Sequence, residues 1–269
     1  MKKNNCYIVI VVYNSLENTI KCIESILKSK DSRYKIILVD NCSRNDSMKG
    51  LKKYLKSLNL RKTIELLKLS KNHGYGYGVN YGIKYSMRYN DCAYFWILNN
   101  DVKIGADCLS NLRGAYSKNS IISPAIYDYD DNSKVLSLGG LLNPFFLTTK
   151  NITKFNCIFF DFLTGASLFF DPEVIKKNGY FSTKYFMYYE DVDWSIRARK
   201  NNIKLELIKN CRVFHKDSKR ISYKLKTISQ LNRIRLSYDH YLYKLPLVFL
   251  IVLISLIITP FKLFFNTND

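Results

Sequence analysis

The chain is predicted to be an α/β protein built on a mostly parallel sheet flanked by helices. Short β-branched runs recur through its first hundred residues, helical periodicities separate them, and three runs stop abruptly at polar residues. Tyr7 to Val12 reads as the first strand. Leu16, Ile20, Ile23, Ile26 and Leu27 follow at helical spacing behind Asn14-Ser15, which can cap a helix. Tyr34 to Val39 repeats the strand pattern and ends in Asp40-Asn41, and Ile64 to Leu69 makes a third strand. Gly78 to Arg88 reads as a helix, and Tyr94 to Leu98 as a fourth strand running into Asn99-Asn100-Asp101-Val102. Such alternation implies parallel pairing through right-handed crossovers. Tyr13-Asn14, Asp40-Asn41 and Asn99-Asn100-Asp101 should then converge on the carboxyl edge, where open α/β sheets bind ligands.

The middle of the chain is less regular. Gly105 to Lys118 looks helical, Ile121 to Ile126 strand-like, and Tyr127 to Lys134 a polar, acidic loop. Ile158 to Leu163 and Ser167 to Phe170 flank a turn at Thr164-Gly165-Ala166. A short helix starts at Asp171-Pro172 and ends at Asn178-Gly179. Glu190 to Lys200 is helical, with acids at the end the helix dipole favours, and Val213-Phe214-His215 ends another strand-like segment.

Bulk properties narrow the function classes. With 269 residues and 47% apolar content the chain can bury a sizeable core and is not disordered. A net charge of +20 suits nucleic acid, an anionic membrane face or phosphorylated substrates. Seven cysteines (6, 22, 42, 92, 108, 157 and 211) show no C-x-x-C pair, so neither zinc sites nor a disulfide framework is expected, and a reducing compartment fits. The N-terminus runs straight into a strand-like segment, so no signal peptide is expected.

Charge concentrates late. Lys219, Arg220, Lys224, Lys226, Arg233 and Arg235 lie between Lys216 and Lys244, and Leu245 to Phe261 carries no charge at all. Pro246 and Pro260 bracket that run, which suits a helix. A basic stretch beside an apolar segment is what an anionic cytoplasmic leaflet attracts, so residues 216–269 are expected to associate with membrane by spanning, re-entering or lying on it. No nucleic-acid motif is visible.

Four segments could carry chemistry. Asn99-Asn100-Asp101 reads either as an ordinary turn or as a strand end presenting hard oxygen ligands to Mg²⁺ or Mn²⁺. Asn72 to Gly82 packs four glycines into eleven residues, either as a surface loop or to let backbone approach a diphosphate; it matches no dinucleotide or ATP signature. Glu190, Asp191 and Asp193 sit among aromatics, which provide faces for sugar rings and raise the basicity of a buried acid; at a helix start they could equally cap. His215 is either structural or a metal ligand.

Taken in order, these segments resemble the family 2 inverting glycosyltransferases, especially their rhamnosyltransferase-like members. The matching pieces run from Ile8–Ser15 through Leu38–Ser43, Asn72-x-Gly74 to Asn80-x-Gly82, and Leu98–Asp101. They continue with Thr164-Gly165-Ala166, Tyr189–Trp194 and Phe214-His215, covering about residues 7 to 216. The resemblance implies a GT-A fold in residues 1–215, with a nucleotide-binding half at 1–101 and an acceptor half at 102–215. It places Tyr13, Asn14 and Asp40 around base and ribose, and Asn72, Gly74, Gly78 and Asn80 near nucleotide and sugar, with Asn100 in the same set. Asp101 would hold a divalent cation as the last residue of a D-x-D motif, with His215 as a further ligand. Asp191 would be the catalytic base and Glu190 its neighbour on the sugars. The first D-x-D position is Asn99 here, which removes one charge from the site. The activity implied is sugar transfer from a nucleotide-diphosphate sugar to a saccharide or lipid-linked acceptor at the cytoplasmic membrane face, in bacterial surface-polysaccharide synthesis. The rival readings are a nucleotidyltransferase, whose N-terminal Gly-Lys/Arg signature is missing at Tyr13-Asn14-Ser15, and a non-catalytic membrane-associated binding or scaffold protein.

Overall fold

The computed structural model describes residues 4–58, 63–156, 159–216 and 222–265, the side chains of Asn45 and of 257–265 excepted. β1 (Asn5–Val12), β2 (Tyr34–Asp40), β3 (Ile64–Lys68) and β4 (Cys92–Asn99) are parallel, in the order β3-β2-β1-β4. α1 (Leu16–Leu27), α2 (Asn45–Ser57) and α3 (Tyr75–Ser86) make the crossovers. β1 leads to β2 on one side and pairs β4 on the other, so the strand order reverses beside it and opens a crevice at the carboxyl ends.

Both faces of this sheet are buried, which is why its strands read as unbroken apolar runs. Ile8, Ile10, Trp96 and Leu98 face the layer that holds α1, α2 and α4 (Cys108–Ala115). Tyr7, Val9, Val11, Phe95 and Ile97 face the layer of α3, α5 (Pro172–Asn178) and α6 (Glu190–Lys200). α2 has no counterpart in the sequence expectations, although Met48, Leu51 and Leu55 recur at helical spacing and the first two are buried. α3 starts three residues earlier than expected, with Gly74 at its N-cap.

The second half corrects the expectation of a mostly parallel sheet. β6 (Ser120–Asp128) and β11 (Lys204–His215) are parallel to each other. β10 (Ser167–Phe170) is antiparallel to β4 and β6, β5 (Val102–Ile104) to β11, and β7 (Val135–Ser137) to β6. Only the strands joined by helical crossovers are forced parallel; β10 enters from a loop. β8 (Gly140–Leu142) and β9 (Thr149–Asn151) form a separate hairpin, unforeseen in the sequence. Of the expected strand at Ile158 to Leu163, Ile158 lies outside the described residues; the rest is irregular, with one bridge from Phe162 to Gly140.

A second correction concerns the cysteines. Cys108 on α4 and Cys211 on β11 form a disulfide with Cα atoms 5.1 Å apart. The partners are 103 residues apart in sequence, so spacing gave no hint of a pair that packing creates. Cys6, Cys22, Cys42 and Cys92 take no part in that disulfide; Cys157 lies outside the described residues, as do Lys219 and Arg220.

The C-terminal segment folds as α7 (Tyr223–His240) and α8 (Leu245–Phe265), joined by a 3₁₀ turn at Leu242–Lys244. The apolar run, expected to associate with membrane, is α8. Its inner face is in fact core: Val248 and Val252 pack with Leu147, Tyr189, Val192 and Leu236. Among the described residues no helix is long and apolar enough to cross a membrane.

Two glycines of α3 set its distance from the sheet. A Cβ on Gly82 would stand 2.5 Å from Val9 Cγ1, and one on Gly78 2.9 Å from Val11 Cγ1. Gly82→Val is therefore expected to cost about 1–3 kcal/mol by overpacking, read as a lower midpoint in urea unfolding; an unchanged midpoint would mean that α3 packs more loosely.

Candidate active site

The register of three parallel strands assembles the site. Val11 lies beside Val39 and Asn99, and Val12 beside Asp40, so Tyr13, Asn41 and Asn99-Asn100-Asp101 arrive at one edge. They border a cavity of about 780 Å³ whose opposite wall carries Glu190 and Asp191. The antiparallel register of β5 on β11 sets His215 opposite Val102, which brings it to Asp101. His215 Nε2 lies 3.1 Å from Asp101 Oδ1 and 3.1 Å from the Asn99 side-chain amide nitrogen. The approach to Asp101 is close without hydrogen-bond alignment, and Asp101 Oδ1 is buried with no hydrogen-bond partner.

Asp191 is held from two sides. Gly165 N donates to its Oδ2 at 2.8 Å and Val192 N to its Oδ1 at 2.9 Å. The same turn reaches the end of β4, since Asn99 N donates to Ala166 O at 3.1 Å and Tyr75 Oη to Gly165 O at 3.0 Å. Thr164-Gly165-Ala166 thus joins Asp191 to Asn99, and a Cβ at Gly165 would touch the Asp191 carboxyl. Burial pushes the Asp191 carboxyl up from its ordinary range, against the two amides. Burial and the charge of Asp191 push Glu190 up to about 8. Glu190 Oε2 is buried without a partner. Asp193, the third acid of the cluster, turns away and meets His240 Nε2 at 2.7 Å and Arg197 Nε at 2.9 Å.

The other sequence candidates divide. Tyr13, Asn72, Gly74, Asn100, Asp101 and His215 line the cavity with Glu190 and Asp191. Asp40 lies beneath the edge: Ser43 N donates to its Oδ1 at 2.9 Å, while Oδ2 is buried and unpartnered. Asn14 Oδ1 accepts from Arg44 N at 2.7 Å, tying the end of β1 to the start of α2. Asn80 and Gly78 do not line the cavity. The Asn80 amide pairs with the Phe181 backbone in both directions, at 2.8 and 3.0 Å, and Gly78 is a packing contact. Gly74 does meet a close approach: its φ is +92° and a Cβ there would strike Phe186 O. Its carbonyl accepts from Asn41 Nδ2 at 3.0 Å.

Sequence reasoning missed the wall built by α7. Tyr223, Lys226, Thr227 and Gln230 line the cavity, and Lys226 is the one Lys or Arg to do so among the described residues. The basic composition of this stretch had pointed outward to a membrane, and helical phase was the overlooked clue.

Glu190 also links pH to stability. Its folded pKa lies above the unfolded value, so its contribution is complete below about 4.3 and is lost as pH rises through about 8. The midpoint of thermal unfolding is expected to fall across that window, and Glu190→Gln to flatten the fall; an identical slope in the variant would place the buried proton elsewhere.

Comparison with known proteins gives this geometry its context. The family model "Glycosyl transferase family 2" matches residues 7–173. No curated protein matches the chain. Among solved structures, GalNAc-T7 with UDP, GalNAc and Mn²⁺ superposes with a TM-score of 0.68 at 14% identity, covering 88% of this chain and 49% of that one. The mannosyltransferase PcManGT from Pyrobaculum calidifontis, in complex with GDP-Man and Mn²⁺, gives 0.63 at 10% identity, covering 89% and 65%. S. aureus TarS 1–349 in complex with UDP-GlcNAc gives 0.55 at 17% identity, covering 86% and 66%. The chain thus spans about half the length of GalNAc-T7. These likenesses show the GT-A fold, and the match over most of the chain shows that it belongs to glycosyl transferase family 2.

Proposed function

We propose that the chain transfers a sugar, hexosyl or rhamnosyl, from a nucleotide-diphosphate sugar to a hydroxyl of a lipid-linked or oligosaccharide acceptor. The transfer inverts the anomeric carbon and serves bacterial cell-surface polysaccharide synthesis. One observation carries the reading. Among the described residues the buried carboxyl oxygens without a hydrogen-bond partner are Asp40 Oδ2, Asp101 Oδ1 and Glu190 Oε2; Asp101 and Glu190 line one cavity, and Asp40 lies beneath the strand edge that borders it. Buried acceptors are almost always satisfied, so three exceptions in one place mark where a polar ligand belongs.

The donor set at Asp101 fits a divalent cation. An orphaned carboxylate oxygen and an imidazole nitrogen stand 3.1 Å apart. No cluster of three or more His, Cys, Asp or Glu side chains suited to a metal occurs among the described residues, so Asp101 and His215 would share the ion with phosphate oxygens and water. When bound, Mg²⁺ or Mn²⁺ would offset the charge gathering on the departing diphosphate. Lys226 meets the same charge from α7. Asp191, its lone pairs only partly engaged by Gly165 and Val192, accepts the proton of the acceptor hydroxyl as that oxygen bonds to the anomeric carbon. The bond from that carbon to the diphosphate breaks with its electron pair on the leaving group, so a single displacement inverts the centre. Glu190 keeps its proton at neutral pH, which spares Asp191 an adjacent charge and gives a donor to a sugar hydroxyl.

The acceptor reading rests on α8. Its buried inner face is matched by an outer face of Pro246, Leu247, Phe249, Leu250, Leu253 and Ile254, all exposed and none polar. A helix packed on one side is ordinarily polar on the other. Exposed Tyr238 and Tyr243 lie beside it with Lys244, a composition suited to the headgroup layer. We place this helix flat on the cytoplasmic leaflet, where a lipid-linked acceptor reaches the cavity.

Asp191→Asn is expected to lower kcat for sugar transfer by about 10²–10⁴ while donor affinity stays within about twofold; turnover near that of the unmodified enzyme would remove Asp191 from its role. Leu250→Glu with Leu253→Glu is expected to cut partition onto anionic vesicles by more than about tenfold, because each leucine loses on the order of 1.5–3 kcal/mol of apolar burial. Unchanged flotation would contradict the membrane face.

A further inference from the structure

The two residues that precede Glu190 are conformationally costly. Tyr188 and Tyr189 have φ of 68° and 71°, the left-handed region, which bulky residues adopt only when their surroundings impose it. Their backbone is gripped from both sides. Phe186 O accepts from Tyr75 N at 2.8 Å on the α3 side. On the α7 side, the Asn232 side-chain amide donates to Met187 O at 2.9 Å and to Tyr188 O at 2.8 Å. Asn232 is fully buried, and its own Oδ1 accepts from Arg235 Nη1 at 2.7 Å, which fixes the orientation of the amide. The next residue, Arg233, donates from Nε to Phe146 O at 3.1 Å and so anchors the same turn of α7.

We propose that Asn232 is a positioning residue for catalysis: it holds Tyr188-Tyr189 in the left-handed conformation that starts α6 with Glu190 and Asp191 facing the cavity. Without those two hydrogen bonds the pair relaxes towards ordinary φ, and the first turn of α6 rotates Asp191 away from Gly165 N. α7 is on this view part of the active site and not a spacer to the apolar helix. The inference rests on the reading of Asp191 as the proton acceptor.

A double-mutant cycle tests it, using Asn232→Leu, Tyr188→Gly and the two combined in the full chain. Glycine adopts positive φ without penalty, so a device that enforces positive φ at 188 loses its purpose beside Gly. Asn232→Leu is expected to lower kcat by at least about tenfold with donor KM within about twofold, and to lower it by less than about threefold when Tyr188→Gly is present. The equilibrium constant for folding should show the same narrowing, about tenfold alone and under about threefold in the glycine background. Equal losses in both backgrounds, or a kcat that Asn232→Leu leaves untouched, would overturn the proposal. If Asn232→Leu fails to fold, Asn232→Ser keeps one donor and should show the same pattern with smaller losses. If the unmodified chain transfers no sugar from any nucleotide sugar, the transferase reading falls and the unfolding cycle alone decides the link between Asn232 and the left-handed pair.

Discussion

Three buried carboxylate oxygens with no partner, on Asp40, Asp101 and Glu190, are the constraint on which the rest of the structure depends. Leaving an acceptor buried and unsatisfied costs on the order of 1–3 kcal/mol, more when it is charged. A chain bears such a cost in one place only if the surrounding structure over-determines it. Here the over-determination comes from the parallel sheet, whose two apolar faces fix the register of β1, β2 and β4. A slip of one residue would turn every core side chain to the wrong layer. The strand ends therefore have no freedom to withdraw their polar residues from the edge.

The opposite wall is fixed by different means. Thr164-Gly165-Ala166 accepts from Asn99 and donates to Asp191, so one short turn sets the separation of the two halves. Behind it, Trp194 packs on Phe181 and Phe170, and Asp193 is drawn to His240 and Arg197. Five consecutive positions thus divide between chemistry and framework, with Glu190, Asp191 and Val192 on the cavity and Asp193 and Trp194 in the scaffold. The left-handed Tyr188-Tyr189 pair is the joint between them, and α7 is the element that holds it.

Local pattern revealed the first half of the fold and long-range packing concealed the second. β1, β2 and β4 were legible because strands buried on both faces are short apolar runs, and the polar residues that end them follow without a break. Asp101 and Asp191 were legible for the same reason, each standing at an element boundary. The pairing of His215 with Asp101 was not derivable from composition, because it depends on β5 crossing β11 in antiparallel register. Asn80 and Gly78 show the converse. Their place in a glycine-rich motif pointed to a ligand, yet Asn80 braces Phe181 and Gly78 lets α3 sit against Val11. The wall supplied by Lys226 and Gln230 stayed hidden because a basic segment beside an apolar one reads as a membrane anchor, and only the docked helix shows which face turns inward.

The central claim is that the cavity takes a nucleotide-sugar diphosphate, with a cation at the orphaned oxygen of Asp101. Calorimetric titration of nucleotide sugars into the full chain, with and without Mn²⁺, tests it most directly, with Asp101→Asn as the comparison. Binding of a donor that tightens at least about tenfold with Mn²⁺, and loses that gain in Asp101→Asn, is the expected result. No donor binding in either condition, or a Mn²⁺ gain that survives in Asp101→Asn, would contradict the account.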